Sequence, residues 1–329
     1  MKFLVIGCGS IGQRHIRNLL SLQAGDILVV DLDEHRLDQV PRRGNVKTFK
    51  RLSDVWAEHP DVAFITTPTS LHLPIALEAA HHSCDLFIEK PLSHTMDGVD
   101  QLLDVVKSKK LVTLVGCNMR FHPGLARIRK LLDEKTIGHV VATRVEMGQY
   151  LPDYHPLEDY RQSYSARQEL GGGIILDAIH ELDYLRWMFG EVEEVFCYAG
   201  HLTHLEIDTE DVAAILLRFV NEAIGEVHLD YIQRSYRRSC DLIGEEGTIT
   251  WEYSTGQVKM YLPSVGSWTV FDQSPDWEPN EMYLDETRHF LRCLAGDENP
   301  TLDVFEGKRV LEIALAAKAS AVQGQPVSV

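Results

Sequence analysis

Apolar residues follow two rhythms along this chain. Over the first 120 residues, short and nearly continuous apolar runs (3–7, 27–31, 46–49, 62–67, 86–89 and 111–116) alternate with stretches of helical period at 11–22, 52–58, 71–82 and 96–108. Runs apolar on both sides, separated by helices, predict a parallel sheet covered on both faces, and right-handed crossovers make it doubly wound.

After residue 120 the rhythm changes. A helix is expected over 124–132, then a strand in which Val141, Thr143, Val145 and Met147 alternate with Ala142, Arg144 and Glu146. A Tyr-rich polar stretch (150–170) leads into one long helix expected from Gly173 to Phe189. Successive strands of period two follow, with Val227, Leu229 and Tyr231 opposed to Glu226, His228 and Asp230, and with turns such as 244–247. A closing helix is expected over 304–322. This predicts an α+β second domain with a largely antiparallel open sheet, so the domains read as 1–120 and 121–329. The strand 212–220 is apolar on both faces, which suggests a covered inner face and an outer face that meets a second subunit, hence a homo-oligomer, a dimer or tetramer.

Composition sharpens this picture. The chain has 329 residues, 32 Lys and Arg against 49 Asp and Glu, and a formal charge of −17. Residues 1–120 hold 14 basic and 14 acidic side chains, so 121–329 carry the whole excess, 18 against 35. That charge argues against nucleic acid as a partner, because such binders need a basic footprint. No segment is apolar enough to span a membrane and the start lacks a signal-peptide core, so a cytoplasmic protein is expected. The six cysteines lack CxxC spacing and sit in apolar runs, as small buried hydrophobes do.

The most specific local signal is Gly7-Cys8-Gly9-Ser10-Ile11-Gly12, directly after the first strand and opening the first helix. Gly7 allows the tight turn, Gly9 a close backbone approach and Gly12 close helix–strand packing; the helix start offers free N–H groups, including those of Ser10 and Ile11, to a pyrophosphate. Asp31 closes the second strand, where its carboxylate meets the ribose hydroxyls of a dinucleotide and repels a 2′-phosphate. A Rossmann domain binding NAD rather than NADP is therefore expected.

Glu89-Lys90-Pro91 ends the fifth strand, at the sheet edge where doubly wound folds bind ligands. Thr67, Pro68 and His72 follow the fourth strand on the same rim, and with Glu89 they complete the expected cofactor contacts. Further along, Gly171-Gly172-Gly173 precedes Asp177, His180, Glu181 and Tyr184, which share one polar stripe at roughly 100° per residue. Asp177 is placed to orient His180 as a base. The run His180-Glu181-Leu182-Asp183 lacks the second His of HExxH, and no other cluster has ligand spacing, so no metal is expected.

In this order the segments 7–12, 66–72 (TTPTSLH), 88–93 (IEKPLS), 118–123 (NMRFHP), 169–177 (ELGGGIILD) with HELD, 244–248 and the closing GQPV resemble the Gfo/Idh/MocA family of NAD(P)-dependent oxidoreductases nearly end to end. The resemblance implies a Rossmann domain, a C-terminal α/β domain, and oxidation of a secondary hydroxyl, or reduction of a ketone, on sugars, inositols or nucleotide sugars. It places the family's lysine, aspartate and histidine on Lys90, Asp177 and His180. One departure stands out: Asp and His are three apart here, where the family usually has four.

The expected activity is an NAD-dependent dehydrogenase acting on a sugar or sugar derivative, including acidic, N-acetylated and nucleotide-linked ones. Lys90 would stabilise the reacting oxygen and His180 take its proton. Substrate contacts are expected from Arg120 and Tyr184, and from Tyr150, Arg161 and Arg167 in the stretch that runs from Tyr150 through His155 to Arg167. Arg161 and Arg167 could clamp an acidic group, with Arg234, Arg237 and Arg238 as a second cluster. Two alternatives stand beside it: a glycosidase working by transient oxidation with retained NAD, and a non-catalytic NAD-binding sensor.

Overall fold

The structure, a computed structural model, describes residues 1–41, 44–154, 156 and 158–329. The chain forms two compact units, Met1–Asn118 with Pro279–Leu311, and Met119–Glu278 with Glu312–Val329. The first break falls close to the expected boundary. The expected second domain, 121–329, is not continuous: Pro279–Leu311 belongs to the first unit, and Glu312–Val329 to the second.

The first unit is built on a parallel sheet of six strands, β1 (Lys2–Ile6), β2 (Asp26–Val30), β3 (Val46–Phe49), β4 (Val62–Ile65), β5 (Asp85–Glu89) and β6 (Thr113–Gly116), in the order β3-β2-β1-β4-β5-β6. Every pairing is parallel, and all strands but the edge strand β3 are almost wholly buried. The helices here are α1 (Ser10–Ser21), α2 (Glu34–Asp38), α3 (Leu52–Val55), α4 (His72–His81) and α5 (Val99–Lys109).

The second unit carries α6 (Pro123–Asp133), α7 (Ile174–Asp177) and α8 (His180–Phe189). Its strands are β7 (Val140–Gly148), β8 (Val192–Gly200), β9 (Val212–Phe219), β10 (Ile224–Asp230), β11 (Arg237–Gly244), β12 (Thr248–Glu252), β13 (Val258–Leu262), β14 (Ser267–Phe271) and β15 (Val327–Ser328). They form one sheet, ordered β14-β13-β12-β11-β7-β10-β9-β8-β15, in which only β7 and β10 pair in parallel. On β9 the side chains alternate: Ala213, Ile215, Leu217 and Phe219 are buried, while Ala214, Leu216 and Arg218 face outward. The outward face is partly apolar and exposed, with Leu216, Ile224 and Ile243 alongside Arg144 and Glu226.

Two late helices complete the chain, α9 (Asn280–Ala295) and α10 (Val304–Gln323). The return of α9 to the first unit has a physical cause: Phe290 sits edge-on to Phe64 and Phe87, at 5.8 and 5.7 Å, and joins the core behind β4 and β5.

Candidate active site

The glycine turn has the geometry a dinucleotide needs. Gly7 sits at φ +95°, and a Cβ there would lie 2.8 Å from Thr66 O. A Cβ on Gly12 would come within 1.9 Å of Gly7 O, so α1 packs against the turn as only glycine permits. At Gly9 a Cβ would meet nothing within 4 Å, which leaves open space beside the backbone for a phosphate. The first turn of α1 starts at Gly9 without a side-chain cap, so the N–H groups of Ser10 and Ile11 stay available. Thr66, which pattern reasoning did not single out, donates its hydroxyl to Ile6 O and Gly7 O at 3.0 and 2.7 Å and pins the turn.

Asp31 stands at the end of β2 with its carboxylate fixed by the N–H of Cys8 (2.6 Å) and of Asp33 (2.8 Å). A carboxylate has lone pairs beyond those two bonds for ribose hydroxyls. Arg36, five residues on, lies 3.9 Å from Asp31 and 3.6 Å from Asp33. These residues and the uncapped helix start fit NAD.

Gly7, Asp31, Thr67 and Lys90 follow β1, β2, β4 and β5, so all four stand on the carboxyl edge of one parallel sheet. The Lys90–Pro91 peptide is cis. Glu89, expected to touch cofactor, instead ties structure together: Oε1 lies 2.7 Å from His15 Nε2, and Oε2 accepts the Lys90 N–H at 3.2 Å. His72, another expected cofactor contact, has both ring nitrogens engaged by the chain itself. Its ring nitrogens lie 2.8 Å from Pro91 O and 2.9 Å from Thr67 O, and the ring is buried, so it straps the two rim loops to each other. Burial lowers its pKa, which favours the neutral ring and hence a true hydrogen bond to one carbonyl at a time. Thr67 and Pro68 are half-buried on that rim.

In the second unit the expected long helix over 173–189 is broken. Its start, α7, ends at Asp177, Ala178 leaves helical geometry at φ −92°, ψ 32°, and α8 begins at His180. Asp177 and His180 are both buried. Asp177 accepts the Tyr164 hydroxyl, the Ser165 hydroxyl at 2.8 Å and the Tyr231 hydroxyl at 2.9 Å. The glycines before it serve this arrangement: a Cβ on Gly172 would lie 2.2 Å from Tyr164 O, so the loop bearing Tyr164 and Ser165 rests directly on the glycine backbone.

The expected substrate contacts fare differently. Arg120 is buried and forks onto Asp183 through Nε (2.9 Å) and Nη2 (2.7 Å), a structural pair. Tyr184 has no exposed surface, so it is a core residue. Tyr150 is half-buried with the Arg234 guanidinium 3.5 Å above its ring. Arg161 pairs with Asp159 (2.8 Å) and Glu206 (3.4 Å), and Arg167 lies 3.7 Å from Asp208. Arg237 binds Glu146, and the buried Arg238 binds Glu181 at 2.7 Å. Arg161, Arg167, Arg237 and Arg238 are thus each paired with one of the chain's own carboxylates, while Arg234 has only the Tyr150 ring among the described residues. His155 lies outside the described residues. The hydroxyls of Ser165 and Tyr231 on Asp177 were missed because no spacing rule joins residues so far apart in sequence.

Comparisons with known proteins agree. Residues 1–117 match the GFO_IDH_MocA description, an oxidoreductase family with an NAD-binding Rossmann fold, and residues 125–250 match the GFO/IDH/MocA C-terminal domain. Myo-inositol 2-dehydrogenase of Thermotoga maritima is 27% identical, over 97% of this chain and 96% of that protein. The scyllo-inositol 2-dehydrogenase (NAD(+)) of Bacillus subtilis is 28% identical, over 99% and 96%. A levoglucosan dehydrogenase solved with NADH superposes with a TM-score of 0.90 at 21% identity, covering 100% of this chain and 99% of that one. With the glycine turn, Asp31 and Lys90 on one sheet edge and both family domains matched, the chain belongs to the Gfo/Idh/MocA family and is an NAD-dependent dehydrogenase.

Proposed function

We propose that this enzyme oxidises a secondary hydroxyl of an uncharged cyclic polyol or sugar. Bound NAD supplies the hydride acceptor. Lys90 hydrogen-bonds the reacting oxygen and stabilises the negative charge that develops there. His180 takes the hydroxyl proton. Asp177, held as an acceptor by three hydroxyls, supplies a negative charge that favours the imidazolium His180 becomes. The observation that carries the chemistry is Lys90 on the same sheet edge as the glycine turn and Asp31.

The substrate class rests on charge. In the second unit Arg120, Arg161, Arg167, Arg237 and Arg238 are each matched to a carboxylate, and of the two clusters Arg234 alone, stacked on Tyr150, has no acidic partner among the described residues, which weighs against an acidic or nucleotide-linked substrate. The inositol dehydrogenases among the relatives fit a neutral ring. Purified protein is mixed with NAD and a panel of inositols, neutral sugars, anhydrosugars, uronic acids and nucleotide sugars, and nicotinamide absorbance is followed. Reduction by neutral rings, with His180→Ala lowering kcat roughly 10²–10⁴-fold, is the expected result. Turnover confined to uronic acids or nucleotide sugars would overturn the substrate assignment.

We also propose that the outward face of the large sheet joins copies of the chain into a dimer or tetramer, since Leu216, Ile224 and Ile243 stand exposed on it.

A further inference from the structure

We infer a second ligand site in the first unit, for a small molecule bearing a phosphate-type oxyanion, in the groove between α1 and the start of α9. The groove is a solvent-open depression of about 510 Å³, a volume suited to a small ligand. From α1 it is lined by Arg14, Arg17, Asn18 and Ser21, which recur at i, i+3, i+4 and i+7 and so share one face. Opposite them stands Asn280, the first residue of α9.

Three features give this groove a positive potential. The 16-residue α9 starts without a side-chain cap, so its first N–H groups and the positive end of its dipole meet the groove. The acid of that first turn, Glu281, is on the other flank of α9, where Arg288 takes both it (3.4 Å) and Asp285 (2.7 Å). Finally, among the described residues no carboxylate pairs with Arg14 or Arg17, in a chain of net charge −17 whose arginines are otherwise mostly matched to acids. Arg14 is steadied by stacking 4.3 Å over the Tyr283 ring, which leaves its edge nitrogens for a ligand.

An independent observation points the same way. Asn18 is only 3% exposed and lies in the groove wall; its Oδ1 accepts the Asn280 amide at 2.9 Å, and its Nδ2 has no partner among the described residues. A buried amide donor without an acceptor is a polar group waiting for one. The site is distinct from the cofactor's: the pyrophosphate meets the N-terminal end of α1, whereas this groove runs along the helix flank to Ser21, about 16 Å further at 1.5 Å per residue.

Calorimetric titration of the full chain tests this, at constant ionic strength in chloride, with and without saturating NAD. Inorganic phosphate and glycerol 3-phosphate are the probes. Saturable binding of either, unaffected by NAD and weakened about tenfold or more by Arg17→Glu while NAD affinity is unchanged, is expected. Ser21→Glu, an exposed position that tolerates the change, places a carboxylate in the groove and should do the same. Tighter binding of the ester assigns a phosphorylated metabolite; equal binding assigns free phosphate. Non-saturating uptake, displacement by NAD, or full affinity in both variants would overturn the site.

Discussion

The imidazole of His15 on α1 lies 2.7 Å from Glu89 at the end of β5, both buried, and the other carboxylate oxygen of Glu89 takes the backbone N–H of Lys90 at 3.2 Å. The helix that opens with the phosphate turn is thereby tied to the strand that presents the lysine. Glu89→Ala leaves a buried imidazole without its acceptor, at a cost of about 1–3 kcal/mol of stability. Urea unfolding should register that loss, and kcat should fall while the affinity for NAD stays near its original value. Adding His15→Phe should recover part of the stability, since the orphaned group is then gone.

The proposed preference for NAD over NADP rests on Asp31 and its neighbour. With the carboxylate removed by Asp31→Ser, Arg36, which stands 3.9 Å from residue 31 and 3.6 Å from Asp33 in the native chain, loses one of its two acidic neighbours and becomes a partner for a 2′-phosphate. Loss of charge-assisted bonds worth about 1.5–3 kcal/mol should raise KM for NAD roughly 10- to 100-fold, and NADP should become a usable cofactor. Steady-state kinetics with both cofactors check this, and Asp31→Ser/Arg36→Ala should lose the gain with NADP.

Tyr231 reaches Asp177 with its hydroxyl at 2.9 Å, which in the proposed mechanism makes it a positioning residue for that carboxylate. Tyr231→Phe keeps the packing and removes one donor from the carboxylate. We expect kcat to fall roughly tenfold with little change in the NAD KM, in line with a hydrogen bond to a charged group. A purely structural tyrosine would lower stability and leave kcat per folded molecule unchanged, so kinetics and unfolding are measured together.

His122 caps α6, its Nδ1 accepting the Gly124 N–H at 3.0 Å, beneath the rings of Trp251, Tyr253 and Trp277. Burial pushes its pKa down to about 3. The unfolded chain takes up a proton near pH 6.5 and the folded chain does not, so between those values stability falls as pH drops, by up to about 1.4 kcal/mol per pH unit from this residue. His122→Asn retains a capping acceptor and cannot titrate. Unfolding free energies at pH 7 and pH 5 should differ less in that variant than in the native chain.

Leu216→Glu and Ile224→Glu place charges on the outward face of the large sheet, where both native side chains are exposed. Sedimentation should show smaller particles with unchanged helical and strand content. An unchanged sedimentation coefficient in both variants would overturn the proposed subunit contact.

Much of the cofactor-binding unit was legible in the chain itself. A strand buried on both faces has to be a continuous apolar run, and a turn that wraps a phosphate has to use glycine, so β1, α1 and the residues around them announce themselves locally. The helix α9 did not. Its buried positions include Glu286, Thr287 and His289, so its apolar period is weak, and only contact with Phe64 and Phe87 reveals where Phe290 belongs.

The polar stripe Asp177, His180, Glu181 and Tyr184 was likewise visible as a pattern, but its division of labour was not. Helical spacing says which side chains share a face and says nothing of what stands opposite. Glu181 meets Arg238, Asp183 meets Arg120, Asp177 collects three hydroxyls, and Tyr184 is sealed in the core. The sequence by itself determined the fold class, the dinucleotide turn and the lysine after β5, because each rests on neighbours in the chain. Only the tertiary structure decided which arginines remain free for a ligand. A charge keeps its reach until an opposite charge is folded against it, and those partners come from strands and loops that meet through packing alone.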